Sequence, residues 1–288
     1  MEIIAVAREM QRRSDLKRMK GKRIAFVPTM GYLHEGHLNL MREGRSISDD
    51  LVVSIFVNPT QFGPNEDLAK YPRDFERDRR LCESVGVDVI FTPSPEEMYP
   101  LLFQTYVSVE GVTKNLCGLS RPGHFRGVAT VCAKLFNIVK PHAAVFGKKD
   151  FQQFVTIRRM AEDLNLDVEI VGMTTTREPD GLAMSSRNTY LKTEERKSAL
   201  SLYRSLLLAQ DLYDKGERRA AVIIDRVAAF IESHPATAID YVKICDAAAM
   251  EDIEFIDGDG VIALAVKVGA TRLIDNHVFG ETLPAYGS

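Results

Sequence analysis

Two histidines three residues apart, His34 and His37, sit in the stretch FVPTMGYLHEGH, Phe26 to His37. On one helical turn that spacing puts both imidazoles on a shared face. The preceding Ile24 to Val27 are apolar and β-prone, Pro28 and Gly31 break the run, and a helix-like pattern starts after Gly36. Strand, turn and helix start together mark the place where an open α/β sheet holds ligands. A helix start also offers anions its free backbone N–H groups and the positive end of its dipole. Phosphate handling is the chemistry this pattern supports. Zinc is disfavoured: it wants a third ligand, Glu35 points off the shared face, and no cysteine lies nearby. A solvated surface turn is the bland alternative.

Four further clusters carry chemistry-bearing side chains. FGKKDFQQF, Phe146 to Phe154, is again a strand end running into a helix start. There Gly147 admits close backbone approach, Lys148 and Lys149 bring charge, Asp150 is a natural N-cap, and Gln152 and Gln153 bring amides. GLAMSSRN, Gly181 to Asn188, places two hydroxyls and a guanidinium in a glycine-flanked loop suited to polyphosphate oxygens. Gln61 follows the second strand and should project into the same carboxyl-end cleft. Beyond it, Asp67, Asp74 and Asp78 read as a charged helix face, with a magnesium contact as the alternative. GLSRPGHFRG adds Arg121 and His124 ahead of a helix. Taken singly, each cluster also fits an ordinary capped helix or solvated loop. One match is a decoy: Gly258, Gly260 and Ala263 fit G-x-G-x-x-A, but a strand-like VIALAV follows, so a hairpin turn is expected there.

The elements that must position these residues follow from periodicity. Residues 2–19 read as a helix, 22–29 as the first strand, 38–48 as a helix, and 51–57 (LVVSIFV) as a buried parallel strand. Helices over 74–85, 125–139 and 151–164 alternate with strands over 88–91, 143–146 and 168–171. That alternation predicts an α/β fold with a Rossmann-like, doubly wound parallel sheet. After about Thr176 two amphipathic helices, 193–215 and 218–233, precede strands over 238–244, 260–268 and 271–275 joined by short turns. A smaller C-terminal α+β domain is therefore expected, giving domains 1–176 and 177–288, with TTTREPDGLAMSSRN across the boundary.

Composition narrows the classes. With 288 residues, 45% hydrophobic and 27% charged, the chain is long enough for two cored units. A net charge of −3 argues against nucleic acid as the main partner, and the basic run Arg12 to Arg23 fits the solvated side of a first helix. No apolar run spans a membrane, and the start lacks a signal-peptide pattern. Cys82, Cys117, Cys132 and Cys245 form no CxxC pair, so reduced cysteines and a cytoplasmic location are expected.

The quoted segments FVPTMGYLHEGHLNL, SIFVNPTQFGPNEDLAKYPR, LSRPGHFRGV, VFGKKDFQQ and DGLAMSSRN cover most of residues 24–190. In that order they resemble the pantoate–β-alanine ligase (pantothenate synthetase) family. HEGH is similar to the His-x-Gly-His signature of a nucleotidyl-transferring superfamily related to class I aminoacyl-tRNA synthetases. MSSR is similar to its second signature, with Arg187 the only cation and no lysine. The resemblance implies ligation in two steps. The (R)-pantoate carboxylate attacks the α-phosphorus of ATP, giving pantoyl adenylate and pyrophosphate; the β-alanine amine then releases AMP and pantothenate. ATP is thus a substrate, accompanied by Mg2+ whose ligands the sequence leaves open.

By the same carry-over Met30, Gly31, Tyr32, Leu33, His34, Glu35, Gly36 and His37 line the ATP site, with Gly147, Lys148, Lys149 and Asp150. Thr176, Met184, Ser185, Ser186 and Arg187 complete it. The resemblance gives His37 the proton-donating role and implies that His34, Lys149 and Arg187 neutralise phosphate charge, with Arg121 as an addition. Gln61 and Gln153 hold pantoate, Gln61 also meeting β-alanine, while Pro28, Met30, Val131 and Phe146 form an apolar wall. A homodimer through the N-terminal domain is implied as well. Two other readings stay open: a nucleotidylyltransferase that stops at an activated phosphate ester, and a nucleotide-binding regulatory module without catalysis. The first needs a further cationic subsite for its acceptor, where Gln61 and Gln153 suggest a neutral hydroxylated acid.

Overall fold

The computed structural model describes residues 1–64 and 66–283. It divides into two compact units. The first comprises Met1–Val109, Arg121–Lys148 and Thr156–Thr174; the second comprises Glu110–Ser120, Lys149–Val155 and the chain from Thr175 onward.

In chain order the elements are β1 (Glu2–Ile4), α1 (Ala7–Met19), β2 (Ile24–Thr29), α2 (Glu35–Ser46), β3 (Asp50–Ile55), α3 (Phe75–Ser84) and β4 (Val89–Phe91). There follow α4 (Pro95–Met98), α5 (Leu116–Ser120), α6 (His124–Val139), β5 (Ala143–Gly147), α7 (Phe151–Asp163) and β6 (Glu169–Met173). The chain ends with α8 (Thr193–Asp214), α9 (Ala220–Glu232), β7 (Thr237–Asp246), β8 (Gly260–Val268) and β9 (Thr271–Val278).

The first unit is a parallel sheet of six strands in the order β1-β4-β3-β2-β5-β6. Its central strands are continuous apolar runs because helices cover both faces; β2 and β3 are buried along nearly their whole length. Ala25, Val27, Leu51 and Val53 pack there with Leu38 and Met41 of α2 and Cys82 of α3. After β2 the chain winds outward through β3 and β4, then returns to β5 on the other side of β2. That reversal is the topological switch point, and the carboxyl ends of β2 and β5 flank it.

Two expectations change at the amino end. Residues 2–19 form a strand and then a helix: Glu2–Ile4 pairs in parallel with β4, since Ile3 and Ile4 supply β-branched side chains for an edge strand, and the helix starts only at Ala7. Helix α2 begins at Glu35 with His34 as its N-cap, ahead of the expected start.

The second unit builds a separate core between α8 and α9 and an antiparallel sheet β7-β8-β9. Leu202, Leu206, Ile223 and Val227 pack on Ile262, Leu264 and Val266. Gly260 opens β8 instead of a helix, so the Gly258–Ala263 glycine pattern has no dinucleotide-binding context; a 13-residue connection, not a tight hairpin, joins Asp246 to Gly260.

Candidate active site

The turn leaving β2 carries the two histidines. Gly31 and Tyr32 both lie in the left-handed region, with φ of 82° and 51°, which reverses the chain within two residues. Thr29 Oγ1 accepts the Gly31 N–H at 3.2 Å and donates to the Ser54 carbonyl at 2.7 Å, tying the turn to β3. His34 then caps α2, and His37 stands one turn on, with ring centroids 4.1 Å apart. The His34 N–H donates to His37 Nδ1 at 3.3 Å. Nδ1 is therefore an acceptor, and the proton of the neutral ring resides on Nε2. An N–H donor at a helix start suits an anionic oxygen.

Gln61 closes the 3-10 turn Pro59–Gln61 after β3, and its amide is oriented by a residue the sequence reading passed over. Asn58, 1% exposed, accepts from the Tyr99 hydroxyl at 2.7 Å and the Thr60 hydroxyl at 2.9 Å through Oδ1. Its Nδ2 consequently faces Gln61 Oε1, 3.0 Å away, and the Gly127 carbonyl, 3.2 Å away. With Oε1 taken, Gln61 presents its NH2, which meets the weak acceptor Met30 Sδ at 3.3 Å. A carboxylate or hydroxyl oxygen is a better partner for that donor. The signal in the sequence was Asn-Pro at a strand end, which reads equally well as turn punctuation.

Arg121 and His124 lie beside this turn. Arg121 makes a fork to Glu66, Nε–Oε1 2.6 Å and Nη2–Oε2 2.5 Å, and its Nη1 approaches His124 Nε2 at 3.1 Å. His124 Nδ1 in turn donates to the Gln61 carbonyl at 2.9 Å. Burial pushes the Glu66 carboxyl up, but the hydrogen bonds and charge of Arg121 outweigh it and hold it below its ordinary range. Arg121 thus braces the Gln61 turn. The expected apolar wall has a buried Val131 and Phe146.

Among the acidic residues after Gln61, Asp74 caps α3 by accepting the Arg77 N–H at 3.1 Å. Asp78 is no part of a solvated face: it is 1% exposed and accepts the N–H groups of Tyr32 and Leu33 at 2.7 and 2.8 Å. Among the described residues, no group of three or more His, Cys, Asp or Glu side chains is gathered to hold a metal ion.

Gly147 ends β5 beside β2, and Lys148 follows it on the same carboxyl edge of the first unit. The remaining candidates belong to the second unit. Lys149 and Asp150 complete a 3-10 turn, and the Lys149 carbonyl accepts from Asn276 at 2.7 Å. The adjacent glutamines part company. Gln152 is buried, its amide donating to the Val112 and Asn115 carbonyls and accepting from the Cys117 N–H, while Gln153 is half-buried.

The loop holding Met184, Ser185, Ser186 and Arg187 is braced on both sides. The Thr176 carbonyl accepts the Met184 N–H at 3.0 Å, and Ser185 caps a 3-10 turn through the Arg187 N–H. Arg177 is bidentate to Asp275 at 2.7 and 3.0 Å, both side chains being almost fully buried, and its guanidinium lies 4.6 Å from the Tyr203 ring centroid. From α8, Arg196 reaches Glu178 at 2.7 Å and Asp180 at 2.6 Å. Arg177, Asp275 and Arg196 had no motif to flag them, because their partners are distant in sequence.

The chain is similar to known proteins along nearly its whole length. A family model described as pantoate-beta-alanine ligase matches residues 2–278. The pantothenate synthetase of Syntrophus aciditrophicus (strain SB) is 70% identical over 283 residues, covering 98% of this chain and 99% of that protein. That of Geobacter sulfurreducens is 60% identical over 281 residues, covering 98% of this chain and 99% of the other. Among solved structures, a pantothenate synthetase from Thermus thermophilus superposes with a TM-score of 0.91 at 43% identity, over 96% of this chain and 99% of that one. A pantoate-beta-alanine ligase from Francisella tularensis, complexed with a β-γ ATP ligand and β-alanine, gives 0.78 at 31% identity, over 96% and 97%.

Proposed function

The chain belongs to the pantoate–β-alanine ligase family, and we propose how its own residues carry that family's reaction. The reaction is the ATP-dependent condensation of (R)-pantoate with β-alanine through a pantoyl adenylate, releasing AMP and pyrophosphate. It needs no protein nucleophile. It needs two substrates aligned and the charge that builds on phosphate matched by fixed donors.

His37 meets that need through Nε2, whose proton is defined by the bond that Nδ1 receives from the His34 backbone. Placed on the pyrophosphate leaving group, it donates as negative charge develops; His34 lies 4.1 Å away, ring to ring, and faces the same oxygens. Lys149 and Arg187 supply cationic charge for the phosphates, Ser185 and Ser186 supply hydroxyls, and Asp150 engages the ribose. Gln61 holds the pantoate carboxylate and hydroxyl through the NH2 that Asn58 leaves available, then meets the β-alanine amine; Gln153 holds the other end of pantoate. Magnesium would enter with ATP, supplying charge neutralisation for the phosphates. Glu66 and Asp78 are engaged by Arg121 and by backbone N–H groups respectively. We further propose a cytoplasmic homodimer joined through the first unit; among the described residues no helix is long and apolar enough to cross a membrane.

The observation that carries the reading is an Nε2–H donor in the turn after β2 together with a Gln61 amide, after the neighbouring strand β3, whose oxygen is held by Asn58 so that its NH2 is left to donate. Exchange of labelled pyrophosphate into ATP tests it. Exchange is expected with pantoate present and β-alanine absent, and not without pantoate. Formation of ADP and phosphate, or exchange that ignores pantoate, would overturn the adenylate route.

A further inference from the structure

We propose that Asp78 is a positioning residue for adenylate formation: its carboxylate fixes the Gly31–Leu33 turn and, through it, the placement of His34 and His37. The proposal rests on the reading that these histidines act on the phosphates of ATP.

Asp78 lies in the first turn of α3, but that helix is already capped by Asp74 and has a second first-turn acid in Glu76. Both oxygens of Asp78 are spent on backbone donors 45 and 46 residues earlier in the chain, Leu33 and Tyr32. A carboxylate withdrawn from water at 1% exposure is an expensive way to fill space, and an apolar side chain would serve packing better. What the carboxylate alone provides is two convergent, charge-assisted acceptors at a defined point.

The turn needs such a hold. Two consecutive residues in the left-handed region, one of them a tyrosine, persist only where the surroundings impose them. The fit is close on the other side too: a Cβ on Gly31 would lie 3.0 Å from Asp78 Oδ2 and 3.0 Å from the Ile55 side chain. Immediately after Leu33 the chain delivers His34, whose own N–H sets the His37 ring. A slackened turn therefore displaces both imidazoles together.

Asp78 also titrates in a specific setting. Arg77 Nη1 stands 3.8 Å from Oδ1, with its guanidinium 5.2 Å from the Tyr32 ring centroid; Asp74 and Cys82 lie on the same helix. Burial raises the carboxyl above its ordinary range despite the Leu33 and Tyr32 bonds and the Arg77 charge, with Asp74 adding to the rise. As pH falls through that raised value, one oxygen becomes a hydroxyl, the charge is lost, and one of the two N–H groups loses its acceptor.

The test compares the wild type with Asp78→Asn in pantoate-dependent pyrophosphate–ATP exchange. The amide keeps one acceptor and turns a donor toward the second N–H. The maximal exchange rate should fall roughly 10²-fold, the cost of misplacing reacting groups by about 1 Å, while KM for ATP and pantoate stays nearly constant. The wild-type profile should show an acid limb that Asp78→Asn lacks. If Asp78→Asn does not fold, the wild type alone decides. Its six histidines give few ring signals in a 15N-histidine spectrum, with His37 assigned by loss of its signal in His37→Asn. The His37 ring signals should then shift along the acid limb. An unchanged exchange rate in folded Asp78→Asn would overturn the proposal, as would KM rising in step with the rate loss, a shared acid limb or a motionless His37 signal. Absence of exchange in the wild type would instead overturn the functional reading itself.

Discussion

At the residue scale, the site works by removing choices from side chains that could otherwise turn either way. An amide can present its oxygen or its nitrogen; at Gln61 the choice is made by Asn58, and behind it by Tyr99 and Thr60. Burial keeps the Tyr99 phenol protonated, pushing it up to about 12, so across the working range it remains the donor that Asn58 Oδ1 needs. The same logic sets the His37 proton on Nε2. A prediction follows for Gln61→Glu, which preserves shape and still accepts from Asn58. It sets a negative oxygen where the pantoate carboxylate should receive a hydrogen bond. Like charges in contact cost several kcal/mol, so the pantoate KM should rise by about 10²-fold or more, with the ATP KM little changed. Steady-state titration of each substrate reads this directly, and an unaltered pantoate KM would remove Gln61 from the binding of that acid.

At the scale of elements, backbone proximity does what no single side chain can. Helix α6 runs against the Pro59–Gln61 turn with Gly127 at the crossing, where a Cβ would overlap the Thr60 carbonyl and come within 2.7 Å of Gln61 Cα. Gly127→Ala should therefore destabilise the first unit by about 1–3 kcal/mol, the usual range for an overfilled core, and weaken pantoate binding as well. Urea unfolding and pantoate titration of the same variant test the two effects; loss of stability with intact pantoate binding would show that the turn is not held from this side. Much of this scale was legible in the sequence. Buried strands such as LVVSIFV announce themselves as continuous apolar runs, and that sufficed for a doubly wound sheet. Less legible were short or atypically capped pieces. β1 has three residues and merges with the α1 pattern, while a histidine N-cap at α2 lies outside the Ser, Thr, Asp and Asn signal. Asp78 was hidden for another reason: FERDRRLCES is rich in charge, and only a partner about 45 residues away shows which of its acids is buried.

At the scale of the molecule, charge is managed locally. A chain of net charge −3 has no global field to draw in an anion, so on the proposed reading Lys148, Lys149 and Arg187 supply the attraction locally. HEGH, GKKD and MSSR suggested such a distribution; Arg177–Asp275 and Arg196, which brace the Met184–Arg187 loop, pair residues distant in sequence and left no local trace. The second unit also carries a pH liability. His277 on β9 is 5% exposed and approaches Gln210 of α8, Nε2 to Oε1, at 2.7 Å. Burial, aided by the positive charge of Arg177, lowers its pKa from 6.5 to about 4, although Glu281, Asp275 and Asp214 oppose the shift. Between those values the unfolded chain binds a proton that the folded chain refuses, so stability is full above pH 6.5 and drains away as pH falls toward 4. At 1.36 kcal/mol per unit the single group accounts for roughly 2–3 kcal/mol between pH 7 and pH 4.5. His277→Gln keeps an amide donor near Gln210 and cannot titrate. Urea midpoints at the two pH values should show the wild type losing more stability on acidification than the variant, by about that amount. Equal losses in both proteins would show that His277 is not the group on which the acid sensitivity turns.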